Sequence, residues 1–115
     1  DLHVTVLDET EFLPAAGPGA LGLEIRAGDE RAREVARGLN DRDTWLRVRA
    51  ERAFLHLLGA GCPTPGGVRS LFKCGQLELR ARVFPDEGGE PRHGIVSGDG
   101  EKPEELAREL MDSLA

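Results

Sequence analysis

The chain has 115 residues, 39% of them hydrophobic and 31% charged, which fits one globular domain and excludes a disordered segment. No apolar run approaches the roughly 20 residues of a membrane-crossing helix, DLHVTVLDETEF is no signal peptide, and two cysteines are too few for a secreted disulfide scaffold, so a cytoplasmic protein with free thiols is expected. The net charge of −6 is uneven, with 5 basic against 10 acidic residues over 1–43 and 10 against 11 over 44–115, so neither part has the basic excess of a general nucleic-acid binder.

LHVTVL (2–7) alternates in the manner of a half-buried strand. LPAAGPGALG (13–22) holds two prolines and three glycines and reads as a loop. ALGLEIR (20–26) sets Leu21, Leu23 and Ile25 on one face of a second strand; DERAREVARGL then spaces Ala32, Val35, Ala36 and Leu39 helically, with Asp29 as N-cap and Gly38 weakening the far end. NDRD (40–43) offers caps for a longer helix, TWLRVRAERAFLHLL, with a stripe of Leu46, Ala50, Ala53, Phe54 and Leu57 and a stop at Gly59. GVRSLFK (67–73) and QLELRARVF (76–84) form a hairpin about Cys74-Gly75; RHGIVS is a third strand, and Pro103 opens a last helix lined by Leu106, Leu110, Met111 and Leu114. The fold class expected is mixed α/β: an α-β-β-β-α domain over 42–115 with a three-stranded antiparallel sheet covered by helices, preceded over 1–41 by a strand-loop-strand-helix segment with little area to bury.

Most candidate sites have ordinary explanations. GPGALG (17–22) is followed by an expected strand, where a dinucleotide fingerprint needs a helix. Cys62, Cys74, His56 and His93 lack metal-ligand spacing, and His3 stands alone, so no metal site is expected. Cys74 reads as an incidental turn thiol, the acidic run EKPEELARE as a helix start, and Arg47, Arg49, Glu51 and Arg52 as a solvated or ion-paired helix face. No Ser/His/Asp constellation is present.

Cys62, within GAGCPTPGG, follows a helix end in a stiff Gly/Pro loop. A thiol of pKa about 8.5 is only a few per cent thiolate at neutral pH, and a helix C-terminus disfavours the anion, which argues against a turnover nucleophile. A thiol that reacts once with a strong electrophile and stays modified fits, as does an incidental cysteine; position alone leaves both open.

LPAAGPGALGLEIR (13–26), VRAERAFLHLLGAGCPTPGG (48–67), KCGQLEL (73–79) and the PEELARELMDSL helix together resemble the C-terminal part of the porphobilinogen deaminase (hydroxymethylbilane synthase) family in order, spacing and loop cysteine. The resemblance implies a transferase that condenses four porphobilinogens into hydroxymethylbilane with loss of ammonia, in tetrapyrrole biosynthesis. It implies that Cys62 anchors the dipyrromethane cofactor through a thioether, formed by an azafulvene arising when porphobilinogen loses ammonia. Gly61 and Gly19 are implied as further cofactor-binding positions. Family members have three domains: residues 1–41 would end domain two and return to domain one, and 42–115 would be domain three. The family's catalytic aspartate lies upstream, so no catalytic residue is expected in this chain and the piece alone is expected to be inactive; the full-length protein is expected to be a monomer with no nucleic-acid or membrane partner.

Two departures stand out. The family's Gly-Gln-Gly reads Gly17-Pro18-Gly19, which removes a glutamine able to contact the cofactor, and its Gly-Gly-Cys reads Ala60-Gly61-Cys62. The α-β-β-β-α order is also that of double-stranded RNA-binding domains, but the second helix begins EKPEE, the wrong sign for phosphate. A non-enzymatic interaction module is the remaining alternative.

Overall fold

The computed structural model describes residues 1–59, 65–85 and 87–115. The elements run α1 (Glu30–Leu39), α2 (Arg42–Leu57), β1 (Gly66–Lys73), β2 (Gln76–Val83), β3 (Arg92–Asp99) and α3 (Pro103–Ser113). From α2 onward this is the expected α-β-β-β-α order.

Local chemistry sets the boundaries. The Asp29 carboxylate accepts from the Ala32 N–H at 2.9 Å, and the Asp41 carboxylate from the Thr44 N–H at 2.7 Å, so α1 and α2 begin on carboxylate N-caps. Gly59, at φ 74°, follows the end of α2, and Pro103 occupies the first turn of α3, where its missing N–H costs nothing. Lys73 pairs with Gln76, leaving Cys74 (φ 51°) and Gly75 (φ 76°) as a two-residue turn with both residues left-handed, the type I′ pattern that matches strand twist.

The sheet is antiparallel in the order β1-β2-β3, with β2 central. Val68 and Ser70 on β1 and Leu77, Leu79, Ala81 and Val83 on β2 point to one face, where they meet Ala50 and Phe54 of α2 and Leu106, Ala107, Leu110 and Leu114 flanking or on α3. On β3 the inward positions include Gly94 and Gly98. A Cβ at Gly94 would lie 2.8 Å from Leu110 Cδ1, and one at Gly98 2.8 Å from Leu106 Cδ2, so these glycines let α3 settle directly on the strand. Arg49 joins the two covering helices: its guanidinium lies 4.4 Å from the Trp45 ring centroid and donates from Nε to Glu104 at 2.8 Å.

The strands expected at 2–7 and 20–26 do not form. A strand needs a neighbouring backbone to satisfy its N–H and C=O groups, and neither segment joins a ladder in this chain. Their alternating apolar residues stay exposed, Leu2 at 96%, Val6 at 91% and Leu21 at 96%, and α1, which forms as expected, has no buried residue. The period-2 signal therefore registers a face with no partner here. No helix among the described residues is long and apolar enough to cross a membrane.

The Asp41 cap gives a pH prediction. Hydrogen bonds from the Thr44 hydroxyl and backbone N–H hold its carboxyl below the ordinary carboxylate range. Because the folded-state value is depressed, this contribution is complete above the unfolded-state value of about 4 and is lost as pH falls through the folded one. Asp41→Asn keeps an acceptor at the cap but no titration, so its stability, followed by circular dichroism in denaturant, is expected to fall less steeply with acid.

Candidate functional site

Residues 13–20 connect the early segment to the α/β core. The Val68 N–H donates to the Pro14 carbonyl at 2.9 Å, and Gly67 lies so close to Leu13 that a Cβ there would sit 2.5 Å from the Leu13 carbonyl oxygen. Gly67 thus lets the two backbones touch. Beyond this contact the chain turns: Gly17 has φ 66°, Gly19 has φ 74°, and the Ala20 N–H donates to the Gly17 carbonyl at 3.3 Å. Pro at the second turn position and a left-handed Gly at the third are the residue pattern of a type II turn.

Pro18, the departure from the family glutamine, therefore stiffens this turn. Pro18→Gln is expected to lower stability by about 0.4–1 kcal/mol by enlarging the conformational freedom of the unfolded chain, measured as a thermal-unfolding shift.

A groove of about 260 Å³ opens beside the turn, lined by Gly17, Pro18 and Gly19, by Arg47 and Glu51 of α2, and by Arg69 of β1. Among the described residues nothing lies within 4 Å of the place where a Cβ on Gly19 would stand, so no described residue covers its backbone there. At the rim Arg69 pairs with Glu9 at 2.8 Å.

The floor rests on a carboxylate that sequence reasoning assigned to a solvated or ion-paired face. Glu51 is only 4% exposed. Its Oε2 accepts from the Gly17 N–H at 2.7 Å, and its Oε1 accepts from the Ser70 N–H at 3.0 Å and from the Ser70 hydroxyl. Arg47 backs the pair: Nε donates to Ser70 Oγ at 3.1 Å and Nη2 to the Ser70 carbonyl at 2.9 Å. A legible signal existed, since positions 47, 50, 51 and 54 share one side of a helix, which sets Glu51 against the Ala50/Phe54 stripe. Of that stripe, Leu46, Ala50 and Phe54 are buried, Ala53 is partly buried and Leu57 is exposed.

Of the sequence-derived site residues, Gly19 lines the groove, whereas Gly61 and Cys62, with Ala60 and Pro63, lie outside the described residues. The ends of their loop are described. Leu58 donates its N–H to the Phe54 carbonyl at 2.9 Å, and the Pro65 carbonyl accepts from the Phe84 N–H at 2.9 Å, where Gly66 enters the ladder opposite Val83. Cys74 is an exposed free thiol in the hairpin turn, and the Arg82 Nε donates to His93 Nδ1 at 3.3 Å across two strands. Neither Cys74 nor His93 lines the groove.

Residues 45–115 match the family model described as porphobilinogen deaminase, C-terminal domain. Similar curated proteins include the porphobilinogen deaminases of Thermus thermophilus, 42% identical over 105 residues (90% of this chain, 35% of that protein), Moorella thermoacetica, 41% over 102 residues (89% and 33%), and Thiobacillus denitrificans, 37% over 110 residues (96% and 36%). The chain spans about a third of the length of these relatives. By this match and the α-β-β-β-α domain it covers, the chain belongs to the porphobilinogen deaminase family.

Proposed function

We propose that this chain is the cofactor-anchoring part of a porphobilinogen deaminase, a transferase that joins four porphobilinogens into hydroxymethylbilane with release of ammonia. In this reading residues 1–41 end the second domain and return to the first, residues 42–115 form the third, and the full-length protein works as a cytoplasmic monomer. The exposed apolar faces at Leu2, Val4 and Val6 and at Leu21 and Leu23 support that division, because they are the faces that further strands and helices would cover. The 115 residues alone are inactive, since the catalytic aspartate of the family lies upstream of the residues that match here.

The observation that carries the reading is the family match, whose residues 45–115 include Cys62. The groove suits the implied group in part: a chain of pyrrole rings bearing carboxylates meets open backbone at Gly19 and a lining in which Arg47 and Arg69 stand beside Glu9 and Glu51. When bound, the dipyrromethane supplies the primer to which further pyrrole units are joined. Cys62 acts once: its S–H bond and a porphobilinogen C–N bond break, a carbon–sulfur bond forms, and ammonia leaves with the thiol proton. Pro63 and Pro65 restrict the backbone around that thiol, so less freedom is lost when it is tethered. The turn at Gly17–Gly19 offers an uncluttered backbone surface for the tethered chain.

The test is the intact mass of the full-length protein that contains this chain. An increment of two pyrrole units is expected; an active protein without it overturns the reading.

A further inference from the structure

We propose that Glu51 is a positioning residue whose carboxylate ties the Gly17–Gly19 turn to α2 and β1 and so sets how that turn faces the groove beside it. The inference deepens the reading above and rests on it for the use of the turn. Among the described residues Glu51 is the one buried carboxylate. A carboxylate is stable in such a place only where donors fill its oxygens, and the three donors here divide unequally. Oε1 takes the two Ser70 donors, inside the core, and Oε2 takes the Gly17 N–H, in the turn. One side chain thus joins segments 34 residues apart on one side and 19 residues apart on the other. Arg47, bonded to Ser70 and lining the groove, holds the inner half in place.

The division predicts an asymmetric response. Glutamine has nearly the same shape but presents one oxygen and one NH2 group. Its oxygen stays with the two Ser70 donors, which brings the NH2 against the Gly17 N–H, donor facing donor. Glu51→Gln therefore frees the turn while leaving the α2–β1 contact. Glu51→Asp keeps the charge and shortens the reach by one methylene; the single Gly17 bond yields before the two at Ser70.

The experiment uses the full-length protein and reads amide exchange on peptides covering 13–23 and 76–83, intact mass and steady-state kinetics. For Glu51→Gln, exchange around Gly17 is expected to accelerate about tenfold or more with β2 protection unchanged. The two-pyrrole increment is retained, and kcat falls about fivefold or more with KM within about twofold, as expected when orientation and not binding is lost. Should Glu51→Gln fail to fold, Glu51→Asp is expected to show the same selective release. Exchange within about twofold of wild type in a folded variant, or release of the turn with kcat unchanged, overturns the positioning role. Either result leaves the deaminase reading standing, because the wild-type mass increment tests that separately; its absence from active wild type overturns both.

Discussion

Cys62→Ser in the full-length protein is expected to abolish the two-pyrrole mass increment and to reduce activity on the order of a thousandfold or more, the scale on which enzymes respond to loss of a covalent attachment group. The reason lies in sulfur chemistry. A thiol of pKa about 8.5 supplies a usable thiolate fraction at neutral pH, whereas a serine hydroxyl supplies essentially none. In the proposed anchor role a slow thiol is sufficient, because the bond would form once per protein molecule and not once per turnover. The same argument separates anchoring from folding. Replacing one sulfur by oxygen leaves the side-chain shape nearly unchanged, so the serine variant is expected to unfold at nearly the wild-type denaturant midpoint. A variant that keeps the increment, or that loses activity only in step with stability, would contradict the anchor role.

The largest effect on stability is expected at Phe54. It is 1% exposed and belongs to the cluster formed with Val68, Leu77, Leu79 and Leu110. Phe54→Ala is expected to cost about 3–5 kcal/mol, combining lost transfer free energy with the cavity left between α2 and the sheet. Against a typical domain stability of about 5–15 kcal/mol, that removes a large share of the total. Phe54→Leu, which refills much of the space, is expected to cost about 1.5 kcal/mol or less. Urea unfolding followed by circular dichroism measures both. The position matters for function because α2 carries Glu51 three residues earlier and leads through Gly59 toward the Cys62 loop. Loosening α2 therefore loosens the Arg47 and Glu51 side of the groove, and the alanine variant is expected to lose activity in proportion to its unfolded fraction.

The parts of the fold that were legible in the sequence are those that short-range chemistry decides. Asp29 and the NDRD run, which holds the observed cap Asp41, marked helix starts because a carboxylate three residues before a free backbone N–H can satisfy it wherever the helix packs. Cys74-Gly75 marked the hairpin because two flanking alternating runs leave space for only a two-residue turn. The same local reading gave strands at 2–7 and 20–26 with equal force, and there it misled. Alternation reports that one face of a segment is apolar, while a strand exists only when another backbone lies alongside. Glu51 misled in the opposite direction. Its charged neighbours Arg49 and Arg52 suggested a solvated face, yet a shift of one position around the helix decides whether a carboxylate meets water or Ser70.

By itself, then, the sequence determined the α-β-β-β-α order, the caps and turns that delimit it, and, through the residues around Cys62, the family whose chemistry that cysteine implies. The tertiary structure alone decided that Gly17, Glu51 and Ser70 form one joint and that a groove opens beside the turn they hold. Helix and turn signals are written within a few neighbouring residues, whereas this joint depends on which distant segments are brought together by burial of an apolar core. Gly67 and the Val68–Pro14 hydrogen bond bring the loop to β1, Phe54 and its neighbours bring α2 to the same sheet, and the Glu51 carboxylate lies where the three segments meet.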